Sequence, residues 1–213
     1  MRIIRINFSY IVLFFSTLFI CSSATLDNGT KNKQNEEGEW ISFFNGNDLT
    51  GWKAKGKAKW KVVNGVLTGA RGRGHLYADP IIADFEAKGE FRITDQGHGA
   101  NSGFYFRANE DPTEPKGFPE GYEAQICNNQ EASTGWLWKP GNPTGKASTL
   151  LTKDGEWFSM RVKAVGGHIQ IWVKDSLVTT HDDAEFKEGH FVIQCHNDKM
   201  LAEARNLYYR VIK

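Results

Sequence analysis

The chain has 213 residues, with 26 basic and 25 acidic side chains and a formal net charge of +1. This balance, with both signs scattered along the chain, excludes the basic surface that nucleic acid or an anionic membrane would attract. The length suits one domain that buries a substantial core without crosslinks.

A signal peptide is predicted over residues 1–24. Two arginines precede the apolar run at 11–20, and small residues follow it up to Ala24. The run is shorter than the ~20 apolar residues that span a bilayer. We therefore expect cleavage after Ala24, export to the periplasm or the cell exterior, and no membrane span. The alternative is a lipid anchor at Cys21, although the bulky Ile20 stands where a small residue is usual.

Residues 25–39 are predicted to be a disordered tether, because Asn, Lys, Glu, Gly and Gln cannot bury a core. The folded domain is expected over 40–213. Two cysteines remain there, Cys127 and Cys195. Strand alternation puts them on opposite faces, so we expect no disulfide even in an oxidising compartment.

After residue 40 the chain shows short alternating runs instead of helical periodicity. The predicted strands include residues 60–67, which turn at Asn64-Gly65, and residues 84–93, 157–164, 168–174, 176–180 and 204–212. About ten to thirteen strands without βαβ spacing predict an all-β fold, an antiparallel β-sandwich.

Three further predicted strands, at 102–107, 121–127 and 191–196, each alternate polar with apolar side chains. An alternating strand turns its even and odd positions to opposite faces. The polar positions are Tyr105 and Arg107, Glu123 and Gln125, and Gln194 and His196. Such a face predicts a groove for a ligand rich in hydroxyls or carbonyls.

Sequence blocks at 40–52, 101–107, 121–126, 194–196 and 205–206 occur in the order of a known family. Through them the chain resembles the 3-keto-disaccharide hydrolase domain family over its whole folded part. The resemblance implies the concanavalin A-like lectin/glucanase jelly roll and a carbohydrate substrate. The chain departs from the family where bulky residues fill 136–138 and where 174–176 replace an Asn-Gly turn.

The glucanases of that fold use two nearby carboxylates, whereas Glu123 is followed at i+2 by Gln125. An ordinary retaining glycosidase would need a second carboxylate about 5 Å from Glu123. The 3-keto substrate that the resemblance implies has an acidified hydrogen on C2, with the glycosidic oxygen β to the carbanion. One base and an enolate stabiliser then suffice for elimination, and addition of water gives net hydrolysis.

Site roles follow from this chemistry. Glu123 or His196 would be the base, because partial desolvation brings either toward neutral pKa, and Arg107 would stabilise the enolate. Substrate binding is assigned to Gln125, Gln194, Tyr105, Trp138 and His75. A divalent metal at Glu123 and His196 stays open, because no short ligand spacing requires a metal.

Structural alternatives stand beside these roles. Arg107 and Glu123 would also suit a surface ion pair, and His75 a solvated loop position after a flexible turn at 69–74. Trp136 and Trp138 would suit either a sugar platform or the core. The rival function is a non-catalytic carbohydrate-binding module that uses the same groove, which fold alone does not separate from an enzyme.

Overall fold

A computed structural model of the protein describes residues 37–110, 117–129 and 131–213. The predicted signal peptide, Cys21 and most of the predicted tether lie outside the described residues. Within those residues, no helix has the length and apolarity that crossing a membrane requires.

The described residues form fifteen strands. In chain order they are β1 (Ile41–Ser42), β2 (Trp52–Gly56), β3 (Lys59–Val63), β4 (Val66–Ala70), β5 (Gly74–Ile82), β6 (Phe85–Asp95), β7 (Asn101–Asn109), β8 (Glu120–Cys127), β9 (Leu137–Lys139), β10 (Asn142–Gly145), β11 (Phe158–Val165), β12 (His168–Val173), β13 (Ser176–Asp182), β14 (Gly189–Cys195) and β15 (Met200–Val211).

These strands make two antiparallel sheets. The eight-stranded sheet has the order β13-β12-β11-β6-β15-β4-β3, with β1 also paired to β15. The seven-stranded sheet has the order β10-β9-β8-β7-β14-β5-β2. The predicted all-β sandwich is confirmed, and the strand number exceeds the prediction because pieces as short as β1 and β9 carry too few residues to show alternation.

One apolar core lies between the sheets, and aromatic side chains from both sheets fill it. Phe85 and Phe91 of β6 face the other sheet. Phe85 packs 5.0 Å from Phe191 of β14, and Phe91 packs 5.3 Å from Phe104 of β7, measured between ring centroids. The predicted inward faces of these strands are confirmed, because their alternate phenylalanines lie in the core between the two sheets.

Tight turns join the neighbouring strands as their residues predict. Asn64 and Gly65 have φ of 51° and 77° between β3 and β4, the left-handed pair that a two-residue hairpin needs. Lys174 and Asp175 make the same kind of turn with φ of 48° and 64°. The replacement of Asn-Gly at this hairpin therefore leaves the turn intact.

The fold begins slightly before Trp40. Glu37 pairs with Ile212 in an isolated bridge, and the backbone N–H of Gly38 donates to Val211 O at 2.9 Å. The last residues assigned to the tether therefore belong to the sandwich. Cys127 and Cys195 are both buried and unbridged, as their opposite faces predict.

Candidate active site

Polar side chains line the face of the seven-stranded sheet that is turned away from the core. Strand register aligns them: Tyr105 lies opposite Glu123, and Glu123 lies opposite Trp138. In the next row of side chains on the same face, Gln194 lies opposite His75. We call these five residues the polar cluster. Sequence alternation placed three of them, Tyr105, Glu123 and Gln194, on this face, and the register brings all five side by side.

A hydrogen-bonded chain crosses the polar cluster. The amide nitrogen of Gln194 donates to the Tyr105 hydroxyl at 3.0 Å and lies 3.2 Å from His75 Nε2. The Tyr105 hydroxyl in turn donates to the Glu123 carboxyl group. Four strands of the sheet, β5, β7, β8 and β14, thus hold Glu123 and His75 in one network.

The expected loop position of His75 is wrong. His75 is the second residue of β5 and only 1% exposed, because Gly69 and Gly74 lie within β4 and β5 and the turn between the strands is short. Its ring meets Tyr105 edge-on at 5.8 Å between centroids. His75 is therefore a buried member of the site face.

Two neighbours fix the carboxyl group of Glu123. In the amide orientation that its neighbours require, the nitrogen of Gln125 donates to Ser102 O at 2.9 Å and to Glu123 Oε1 at 3.1 Å. Gly103 lies beneath the carboxyl group, and a β-carbon at position 103 would overlap Glu123 Oε1. Gln125 therefore positions Glu123, and the missing side chain at 103 provides the space for its carboxyl group.

Burial changes the acidity of Glu123. Its side chain is 7% exposed, and desolvation raises its pKa from 4.5 to about 8 against the opposing effects of the Tyr105 hydrogen bond and the Arg73 charge. The group is therefore mostly protonated at neutral pH. A carboxylic acid at pH 7 is able to donate a proton.

The cation at this site is Arg73, which the sequence did not single out. It comes from the turn between β4 and β5, where Gly72 has φ of 150° and lies so close to Lys57 that a β-carbon would sit 3.0 Å from its backbone. The charge of Arg73 acts on both Glu123 and Tyr105. Its Nη2 atom donates to Gly117 O at 2.9 Å.

His196 is linked to this arginine through Phe118. The Arg73 guanidinium stacks 4.5 Å from the centre of the Phe118 ring, and Phe118 stacks 6.4 Å from His196. Burial, then the charges of Arg73 and His75, lower the pKa of His196 below its ordinary value. His196 is therefore neutral at pH 7 and able to accept a proton.

Arg107 does not join the site, which corrects the prediction. The β7–β8 register shifts between Phe106 and Asn109, and Arg107 has φ of 48°. Its buried guanidinium instead donates to Ala83 O and Gly166 O, each at 2.7 Å, and pairs with Asp84 at 2.9 Å. Arg107 therefore connects loops at one end of the sandwich. It is not placed to stabilise an enolate, and it forms no ion pair with Glu123.

Unpartnered polar atoms concentrate on this face. Buried polar atoms in proteins normally have a hydrogen-bond partner. Seven buried side-chain atoms among the described residues have none, and four of them lie at the site: Arg73 Nε, Trp138 Nε1, Gln194 Oε1 and His196 Nδ1. Donors and acceptors left open together indicate a site for a polar ligand. Trp138 belongs to this face, whereas Trp136 is buried.

Other locations fit a ligand less well. A cavity of 380 Å³ on the eight-stranded sheet is lined by Trp172 and Tyr208, but two of its polar side chains already have partners. There Arg161 bonds Glu86 at 2.6 Å and Asn206 bonds Glu90 at 2.8 Å. Across the described ranges, no three His, Cys, Asp or Glu side chains gather as a metal would require, and a divalent ion at Glu123 and His196 stays a prediction.

Solved structures share this fold. A putative glycosyl hydrolase from Parabacteroides distasonis ATCC 8503 is 22% identical, with a TM-score of 0.64, over 83% of this chain and 94% of that one. The carbohydrate binding module CBM66 from Bacillus subtilis is 19% identical, with a TM-score of 0.57, over 74% and 93%. The Emp46p carbohydrate recognition domain is 16% identical, with a TM-score of 0.58, over 76% and 88%.

The two antiparallel sheets and these neighbours define the protein as a β-sandwich jelly roll of the concanavalin A-like class. Residues 39–213 match the family described as 3-keto-alpha-glucoside-1,2-lyase-like domain, and the chain belongs to that family. The resemblance seen in the sequence is thereby confirmed. The family links the chain to glycosides. No curated protein sequence matches this chain.

Proposed function

We propose that this protein is an enzyme that cleaves 3-keto-glycosides by elimination followed by hydration. The observation that carries the proposal is the pair of opposite pKa shifts around Arg73, with Glu123 raised to about 8 and His196 lowered. Environments that push two titratable groups apart in this way assign an acid and a base. Family membership supports the choice of substrate.

Each residue then has one step. Neutral His196 removes the proton from C2, and Arg73 stabilises the negative charge that develops on the C3 oxygen. The electron pair forms the C1–C2 double bond as the C1–O bond breaks, and protonated Glu123 gives its proton to the leaving oxygen. Water then adds its oxygen to C1 and gives a proton to the Glu123 carboxylate, and the proton on His196 returns to C2, so that the net reaction is hydrolysis and both residues are restored.

The surroundings of Glu123 favour elimination over double displacement. A retaining glycosidase places a second carboxylate about 5 Å from the first. The groups that act on the pKa of Glu123 are Tyr105 and Arg73, and neither is an acid. Because no carboxylate among the described residues acts on Glu123, a substrate activated by its own ketone is the better match.

A non-catalytic carbohydrate-binding module is the second candidate. The observation in its favour is Trp138, which pairs with Glu123 across β8 and β9 and would offer its indole to a sugar ring. Carbohydrate-binding proteins with the same fold support it. Such a module would need neither a base nor an acid.

Incubation with methyl 3-keto-glucoside in D₂O separates these functions. The wild type is expected to release methanol and to place deuterium at C2. His196→Ala should lose both, whereas Glu123→Gln should keep exchange at C2 and lose cleavage. Glu131→Gln and His168→Ala, at exposed positions, are matched controls. Binding without exchange or cleavage in the wild type would favour the module, and a chelator-treated sample tests the predicted metal.

A further inference from the structure

The eight-stranded sheet ends at β3, whose outer edge pairs with no described strand. A groove of 660 Å³ lies beside this edge, on the face turned away from the core, and is lined mainly by side chains of β3, β4, β6 and β15. We call it the basic groove. We propose that β3 binds an acidic peptide segment of a partner protein, which adds to the edge as a further antiparallel strand and directs its carboxylates to the basic groove. The inference does not depend on the proposed activity, because the polar cluster lies on the other sheet.

Three cations of the basic groove lack an acidic partner. The described lining residues include four basic side chains and one carboxylate, Glu203. Arg92 already holds Glu203 through two hydrogen bonds, of 2.7 and 2.8 Å. Within the described part of the chain, no carboxylate pairs with the other three cations, the exposed Lys59, Lys61 and Arg71. The chain as a whole carries a net charge of only +1, so this local excess of positive charge favours an acidic ligand.

An ion pair elsewhere in the protein shows what this spacing of lysines can hold. Lys53 and Lys55 alternate in the same way along β2, the edge strand of the seven-stranded sheet. The Glu110 carboxylate bridges them, with its two oxygens 2.7 and 2.8 Å from their ammonium nitrogens. Side chains at i and i+2 lie on one face of a strand, about 7 Å apart, so one carboxylate fits between them. Lys59 and Lys61 repeat the pattern on β3, and the acid is left to a partner.

The backbone of β3 is open for pairing. Val63 pairs with Val66 across the two-residue turn, so these two residues exchange hydrogen bonds, and every second residue of β3 does the same with β4. The N–H and C=O groups of Trp60 and Val62 therefore point to the free edge. Main-chain hydrogen bonds to such an edge bind an extended peptide, and the alternate side chains of the peptide give specificity.

Charge selects the occupant of this edge. On an antiparallel partner strand, the residues opposite Lys59 and Lys61 form the non-hydrogen-bonded pairs, in which side chains approach most closely. Acidic residues there stabilise the pairing, whereas a second copy of β3 aligned on Lys61 puts lysine opposite lysine, which destabilises it. Val63 follows on the same face, is 41% exposed and favours an apolar residue opposite it. From its N-terminus, the expected segment therefore reads apolar, acidic and acidic at every second position.

Fluorescence anisotropy with a labelled synthetic peptide tests the inference. The probe carries valine, glutamate and glutamate at every second position, in that order, with threonine between them. Its affinity should fall roughly three- to tenfold in the double variant Lys59→Gln/Lys61→Gln, because exposed ion pairs contribute little each, and it should fall with added salt. Lys153→Gln/Lys199→Gln, at exposed positions, is the matched control. Melting temperatures confirm that each variant folds.

Two methylated forms of the probe test the strand pairing itself. N-methylation of its threonines removes the N–H groups that bond the free edge at Trp60 and Val62, and binding should be lost. N-methylation of its glutamates, whose N–H groups point away from β3 in an antiparallel pairing, should change the affinity by no more than about twofold. Both peptides carry the same charge, so the comparison separates edge pairing from electrostatic attraction.

Several results would overturn the inference. Absence of probe binding by the wild type, equal affinities of the two methylated peptides, or no effect of the lysine variant would each do so. Binding of polygalacturonate in place of the probe would assign the basic groove to an acidic polysaccharide. A wild-type dimer in sedimentation that the lysine variant changes would assign the edge to a second copy. Cleavage of the 3-keto-glycoside is measured separately, and none of these results changes the test of the proposed function.

Discussion

The carboxyl group of Glu123 occupies the space above the α-carbon of Gly103, where any other residue would carry its side chain. Gly103 and Gln125 form the neighbouring cross-strand pair, so the carboxyl group lies over the sheet between two strands. The position of the proposed acid is thus set by a residue with no functional group of its own.

Gly103→Ala should displace the Glu123 carboxyl group. The added methyl group overlaps Glu123 Oε1, and overpacking of this kind costs about 1–3 kcal/mol of unfolding free energy. We expect that loss in urea denaturation, together with loss of cleavage. Combining it with Glu123→Ala should recover part of the stability, because the clash is then gone. Strictly additive effects in this double-mutant cycle would contradict the close approach.

Arg107→Ala should unfold the protein more easily. Its removal leaves Asp84 and two loop carbonyls without their partner. A buried acceptor left without its donor costs about 1–3 kcal/mol, which a shifted urea midpoint would show, whereas the Asp84 carboxylate is 40% exposed and is solvated by water. The folded fraction should keep the pH profile of the wild type, whereas a changed profile would return Arg107 to the active site.

Arg73→Gln should lower the activity and leave the stability nearly unchanged. Arg73 is half-exposed and bonds a single backbone carbonyl, so we expect less than about 1 kcal/mol of lost stability. Loss of a donor to a developing oxyanion typically lowers kcat about 10²- to 10³-fold. Exchange at C2, followed by NMR in D₂O, should fall with it. Unchanged exchange would remove Arg73 from the mechanism.

Glu123 should make stability depend on pH. Its pKa in the folded protein is about 8, above its ordinary 4.5, so the folded state binds the extra proton between these values. The free energy of unfolding should therefore fall as pH rises from 4.5 to 8, by at most about 1.4 kcal/mol per pH unit from this group. Glu123→Gln should remove this slope in urea denaturation, and Glu131→Gln should keep it.

Glu123 and His196 should together determine how the rate depends on pH. If neutral His196 accepts and protonated Glu123 donates, kcat/KM rises as His196 loses its proton and falls as Glu123 loses its proton near pH 8. The profile is therefore a bell. Glu123→Gln, assayed on a substrate with a good leaving group, should lose the alkaline limb. A limb that persists in this variant would assign it to another group.

Alternation in the sequence predicted the fold and most of the polar cluster. In β7, β8 and β14 one face must be apolar, and this burial fixes where Tyr105, Glu123 and Gln194 point. The same rule failed for Arg107, because a bulge with a left-handed residue interrupts the alternation and leaves no periodic signal.

Arg73 could not be found in that way. It lies in a turn, where no periodicity exists, and its contacts with Gly117 and Phe118 join residues more than forty positions apart. The one feature of the local sequence that connects Arg73 with the site is its position two residues before His75. The glycines around it suggested a flexible turn, although Gly72 holds the backbone tightly against Lys57.

Since register aligns Tyr105 with Glu123 and Gln194 with His75, the proposed active site and the core share one set of strand pairings. A single inserted or deleted residue within β7 would turn its tyrosine inward and a phenylalanine outward. Such a change would disrupt the site and the core together. Length variation among related proteins should consequently be confined to the connections between strands, and the spacing inside β7, β8 and β14 should be invariant.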